Sequence, residues 1–188
     1  MPPKKKYTKD QIIEVAFEMA KEEGIDSITI RKVAKRLKSS IAPIYVNFED
    51  VEELIGEVIK RIFALGKEIL DEESSGEPFR DIGLSSLRFA REYSVLFRDL
   101  MMNQNDYMKS YDQEMGQPLI EEMKKDSQLE GFSEEELKNI LLKMRVVQTG
   151  LSVMIANGLL PKGFGEEEEV RLLEDIAADI VYATRMGR

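Results

Sequence analysis

Four cations, Arg31, Lys32, Lys35 and Arg36, share a short stretch with the apolar residues Ile30, Val33, Ala34 and Leu37. The apolar set keeps the i, i+3, i+4, i+7 spacing of one helix face, so the charges fall on the other side. Guanidinium and ammonium groups arrayed in this way hold anions, phosphate above all. The chain's omissions narrow the field further. Its 188 residues contain no histidine and no cysteine, so zinc fingers, haem axial histidines, thiol nucleophiles and Ser-His-Asp triads cannot be built from them. An enzyme working with Asp and Glu alone needs two carboxylates facing each other in a cleft, and no such pair can be placed from sequence. The Glu166–Glu169 run reads as an acidic helix start, which suits the positive end of the macrodipole, and not as a metal site. We therefore expect no enzymatic activity, no cofactor and no metal.

The formal net charge is -9, which by itself argues against a nucleic-acid partner. Its distribution argues the other way. Residues 1–48 hold ten Lys or Arg against six Asp or Glu, a local +4, and the remainder carries -13. A basic head on an acidic body suits a phosphate-facing module attached to a domain that repels DNA elsewhere. With 43% hydrophobic and 34% charged residues, the composition is that of a globular protein rich in helix formers. The apolar runs fall short of the roughly 20 residues of a bilayer span, and no signal-peptide pattern is seen, so a cytoplasmic location without membrane contact is expected.

Periodicity and caps place the elements. Thr8 and Gln11 stand in capping-box spacing before a helix from about Lys9 to Glu23, which Gly24 stops. Thr29 caps the cationic helix, and Lys38, Ser39 and Ser40 form a tight link. Ser40 is read as the cap of a third short helix, with Pro43 in its first turn. Ile44 and Phe48 face inward there, leaving Ile41, Ala42, Pro43 and Tyr45 outward. Asp50 and Glu53 open a fourth helix to about Glu72, and Ser74 to Pro78 break it. Helical periodicity resumes through Phe89, restarts at Ser94, and continues from Tyr107 or Asp112 to Lys125. Ser133 and Glu136 cap a long helix ending near Asn157, and a last helix follows Glu166. No strand is predicted, so the fold class is all-α.

Three short helices with a cationic middle one and a tight turn have the outline of a helix-turn-helix DNA reader. The residues Gly24, Thr29-Ile-Arg31-Lys-Val33-Ala34-Lys-Arg-Leu37, Ser40, Ile44-Tyr45-Val46-Asn47-Phe48 and Glu52-Glu53-Leu54 resemble the DNA-binding signature of the TetR-type transcriptional regulator family. The resemblance covers about Thr8 to Ile59. It implies a three-helix reading domain at 1–49, a connecting helix at 50–73 and a helical ligand-binding and dimerisation domain of five or six helices at 74–188.

The resemblance also implies DNA contacts. Thr29 and Arg31 match positions at the start of helix two, and Arg31 suits either a guanine edge or a phosphate. Ser40, Ile41, Ala42 and Pro43 match the start of the recognition helix, Tyr45 a phosphate contact and Asn47 the polar position beside it. Lys4, Lys5 and Lys6 are read as a basic arm. Two positions depart from the family pattern: Val51 stands where a phosphate-binding lysine is usual, and Lys38 where the turn usually has glycine.

For the body, the resemblance implies a homodimer through the last two long helices and a cavity for a small effector. Seven of the ten methionines lie between Met101 and Met154, among aromatic residues, and such soft side chains suit an apolar ligand as well as a core. The candidate ligand contacts are Phe97, Met101, Tyr107, Tyr111, Met115, Met144, Arg145 and Gln148. The function expected is a ligand-responsive regulator, a repressor released from a palindromic DNA operator by a small, largely apolar molecule. The alternative is a helical ligand-binding or protein-interaction module without DNA binding.

Overall fold

The computed structural model describes residues 7–187, except for the side chains of Asp112 and Ala156. Within that range there are nine α-helices and no strand, so the fold is all-α. The proposed arm Lys4, Lys5 and Lys6 lies outside the described residues.

Helix α1 spans Lys9–Glu23, and both halves of its Thr8/Gln11 capping box form. Helix α2, Ile30–Arg36, starts where the Thr29 hydroxyl accepts the Lys32 N–H at 3.2 Å. Helix α3 is the single turn Ala42–Tyr45. It begins from Ile41 with no side-chain cap, which overturns the reading of Ser40 as its cap. Counted from Ser40, the third position inward is Pro43, which has no N–H for a serine hydroxyl to receive. Helix α4 follows as Val51–Glu72. The Glu53 N–H donates to Asp50 Oδ1 and the Glu49 N–H to Glu53 Oε2, both at 2.8 Å.

The remaining helices are α5 (Pro78–Glu92), α6 (Ser94–Phe97), α7 (Gln117–Met123), α8 (Glu134–Ala156) and α9 (Glu166–Met186). The continuous helix expected up to Lys125 is instead a 3-10 turn at Tyr107–Ser110, a π-turn at Asp112–Gly116 and then α7. Pro118 accounts for the π-turn. It cannot donate to the Glu114 carbonyl four residues back, and its ring crowds that carbonyl, so the α-helical ladder gives way there.

The chain divides into two compact units. The first comprises the chain up to Leu65 together with Val95–Met108; the second comprises Gly66–Ser94 and the chain from Lys109. In the first, Ile12, Ala16, Met19, Ala20, Ile25, Val33, Ile44, Phe48, Leu54 and Leu96 are buried. In the second, one cluster joins Ile82, Leu119, Ile120, Met123, Leu137 and Ile140, and another joins Leu87, Met144, Leu151 and Leu173. Buried carboxylates there take backbone donors. Asp126 accepts the Phe79 and Gln128 N–H groups at 3.0 and 2.8 Å, and Asp81 accepts the Ser75 N–H at 3.0 Å. Among the described residues no helix is long and apolar enough to cross a membrane.

Candidate nucleic-acid interface

Between α2 and α3 the chain reverses over three residues. The Lys38 N–H bonds to the Lys35 carbonyl at 3.0 Å and the Ser39 N–H to the Ala34 carbonyl at 2.9 Å. Closing that turn puts Lys38 at φ 50, the one positive φ among described residues other than glycine. The Tyr7 hydroxyl donates to the Leu37 carbonyl at 2.6 Å, tying the chain ahead of α1 to the end of α2.

Helix α3 is anchored by Ile44 and Phe48, at 0% and 2% exposure, and its other side is open. Ile41 is 44% exposed, Tyr45 54% and Val46 63%, with Ser40 and Ala42 also exposed and Pro43 half-buried. Three large apolar or aromatic side chains on so short an element have no core to enter. Asn47 is half-buried, and its side-chain amide donates to the Pro43 carbonyl at 2.7 Å, closing the end of the helix. Thr29 is an exposed cap.

The cationic side of α2 divides in two. Lys32 pairs with Glu23 at 3.1 Å, and Arg36 with Glu22 and Glu23 of α1. Hydrogen bonds from Arg36 hold the Glu22 carboxyl below its usual range, and Lys32 does the same for Glu23. These pairs are exposed, so each contributes little to stability, but they neutralise two of the four cations. Arg31, Lys35 and Lys38 are exposed and have no ion pair or hydrogen-bonded partner from their side chains among the described residues. Sequence reasoning put all four cations of α2 on one phosphate-facing side, named Arg31 alone of them as a DNA contact, and left Lys38 and Val46 out. The signal it lacked is the position of Glu22 and Glu23 across from α2, which no periodicity reveals. Val51 is half-buried at the start of α4.

The first unit holds one segment from far along the chain. A π-turn at Arg98–Met102 follows α6, and the Asp99 side chain there is nearly buried. The Ile25 N–H, in the link between α1 and α2, donates to Asp99 Oδ2 at 2.8 Å, and Asn103 donates to Oδ1 at 3.2 Å. Asn105 donates to the carbonyls of Asp99, Leu100 and Asn103. The Tyr107 hydroxyl donates to Asp26 Oδ1 at 3.1 Å.

Burial first, and then the Asp26 carboxylate, push the Tyr107 phenol up to about 12 from 10.0. A phenol pKa raised in the fold contributes fully below the free value and is lost as pH rises from 10 toward 12. The urea midpoint should therefore fall more steeply over that window for wild type than for Tyr107→Phe. Equal slopes would show that this contact does not support the unit.

The residues named as ligand contacts fall in both units. Phe97 is buried and Met101 half-buried in the first, where Tyr107 lines a recess of about 380 Å³ with Asp26, Asp99 and Asn105. In the second, the Arg145 guanidinium lies 4.3 Å from the Tyr111 ring centroid, and the two line a cleft of about 410 Å³ with Ile120, Lys138 and Leu141. Met115 lines a cleft of about 480 Å³, and Met144 one of about 660 Å³ with Phe79, Leu84, Leu173 and Val181. Gln148 is 6% exposed, its amide nitrogen 3.5 Å from where a Cβ on Gly83 would lie.

Residues 12–58, covering most of α1 to mid-α4, match the family profile described as bacterial regulatory proteins, tetR family. No curated protein matches the chain in sequence. Two solved structures share its fold. SCO7518 of Streptomyces coelicolor A3(2), described as a transcriptional regulator, aligns at TM-score 0.55 and 16% identity over 90% of this chain and 97% of its own. A transcriptional regulator of the TetR/AcrR family from Thermobifida fusca aligns at TM-score 0.55 and 14% identity over 92% and 96%. A cationic helix, a three-residue reversal and an apolar-faced third helix thus occur within the stretch, residues 12–58, that is similar to the tetR family of bacterial regulatory proteins.

Proposed function

We propose that the chain is a homodimeric transcriptional regulator that binds a palindromic DNA operator and is released from it by a small, largely apolar molecule, acting as a repressor in the cytoplasm. The observation that carries DNA binding is the open side of α3. Apolar Ile41, Ala42 and Val46 and the phenol of Tyr45 stand exposed beside the unpaired cations Arg31, Lys35 and Lys38. Small and apolar side chains meet thymine methyl groups, while Tyr45, Arg31 and the first-turn backbone contact phosphate or a guanine edge. A helix in the major groove joined to phosphate anchors is the docking geometry of this motif.

Two-fold pairing is supported by rows of exposed apolar residues at four-residue steps. On α8 they are Leu142, Val146 and Met154, with the open Gly150 between; on α9 they are Ala178, Tyr182 and Met186. Such ridges interdigitate between antiparallel or crossed helices, and two copies would bury both rows. For the effector, the methionine- and aromatic-lined clefts supply apolar contact, and the Arg145 guanidinium stacked on Tyr111 supplies an orienting charge. An effector that binds one state better displaces α4, and the paired recognition helices lose their spacing of about 34 Å, one turn of duplex.

The test is selection of duplex DNA from a random pool by purified protein, followed by titration at several salt concentrations. A palindromic fragment with strong salt dependence is expected. Tyr45→Ala should weaken it by on the order of 100-fold, since two heads each lose a hydrogen bond to a charged phosphate oxygen. No enrichment at low salt by a folded dimer would favour a ligand-binding or interaction module without DNA binding.

A further inference from the structure

We infer that Lys38 is a phosphate-contacting residue supplied by the turn itself, an additional anchor beyond those carried by α2 and α3. This rests on the DNA-binding reading above.

Three observations on the turn converge. First, the backbone at Lys38 occupies the left-handed region, at φ 50, which a side chain with a Cβ enters at a cost and which glycine enters freely. Every other positive φ among the described residues belongs to a glycine. A lysine in such a place is kept against the backbone preference, and strain of this kind points to a use for the side chain. Second, the ammonium is exposed and has no carboxylate partner among the described residues, although the chain has nine more acidic than basic residues and Glu22 and Glu23 claim Arg36 and Lys32 nearby. Third, its position is set firmly. The Lys38 N–H is bonded to the Lys35 carbonyl and the Ser39 N–H to the Ala34 carbonyl, while Tyr7 takes the Leu37 carbonyl. The side chain therefore leaves a fixed backbone between the last turn of α2 and the start of α3, the two helices that straddle the groove edge in a helix-turn-helix. Arg31 and Lys35, one turn apart on α2, and Lys38 just past its end make up the unpaired cations of this motif.

Such a lysine adds affinity without reading sequence. Each head gains one phosphate contact, so a dimer on its operator gains two, which corresponds to about 1.8 in the slope of log K against log salt. Between 50 and 200 mM salt that difference amounts to about tenfold in affinity.

The experiment compares wild type with Lys38→Gly, Lys38→Asn and Lys38→Arg on a fragment enriched by wild type from random duplex DNA, and on a scrambled duplex. Glycine and asparagine both accept a left-handed backbone, so neither variant should lose fold. Lys38→Gly should melt about 2 °C higher, through relief of the turn. Its affinity should nevertheless fall, equally on both duplexes, with the salt slope lower by about 2, and Lys38→Asn should behave alike. Lys38→Arg should bind as wild type does. Higher melting with unchanged affinity and slope in Lys38→Gly would overturn the inference and leave DNA binding standing, because wild type still binds. Failure of wild type to enrich any duplex would overturn both.

Discussion

Gly24→Ala should destabilise the first unit by about 3–5 kcal/mol and lower its melting temperature by roughly 10 °C. Gly24 sits at φ 93, ψ 162, a region essentially closed to residues with a Cβ, which alone costs on the order of 1–3 kcal/mol. The added methyl would also lie 2.6 Å from Asp99 Oδ2, well inside contact distance. The carboxylate would have to move, and the buried Ile25 N–H that it accepts would lose its partner, adding about 1–3 kcal/mol. The two parts can be separated. Asp99→Ala removes the obstructing carboxylate and by itself should cost the unsatisfied Ile25 N–H together with the Asn103 hydrogen bond to Oδ1. In Gly24→Ala/Asp99→Ala only the backbone cost remains to be added, so the double variant should lie well below the sum of the singles. Strict additivity in urea unfolding would show that the close approach of Asp99 to Gly24 is not what fixes the glycine.

Val146→Glu is expected to leave each chain folded and to abolish pairing. Val146 is 67% exposed within the single chain, so the substitution disturbs no core. In a two-fold interface built on the Leu142–Val146–Met154 row, the same residue enters from both copies, and two carboxylates would be buried near each other without cations. Dissociation should strengthen at least 1,000-fold, about 4 kcal/mol, and light scattering at micromolar concentration should report a mass near the 21.6 kDa of one chain. Operator affinity should fall by a comparable factor, since a lone head grips one half-site. A Val146→Glu protein that remains dimeric with wild-type operator affinity would move the interface away from this face of α8.

The sequence by itself determined those parts of the protein that depend on neighbours along the chain. The Thr8/Gln11 and Ser133/Glu136 capping boxes, the Thr29 cap and the turn at Lys38 form as read, because each involves groups three to five residues apart. The inward Ile44 and Phe48 and the outward Tyr45 were legible for the same reason: helical spacing fixes which face a residue takes. Two local readings failed: at Ser40, where the missing N–H of Pro43 leaves the hydroxyl without a donor to accept, and ahead of α7, where Pro118 breaks the helix expected to run on to Lys125. The tertiary structure alone decided which cations of the proposed interface are available and what braces the first unit. Lys32 and Arg36 are neutralised by Glu22 and Glu23, nine to fourteen positions away, and the Gly24–Asp26 link is held by Asp99 and Tyr107 across more than seventy. Pairings at those separations depend on how the helices pack, and packing is set by the whole buried surface at once, which no repeat or spacing in the sequence encodes.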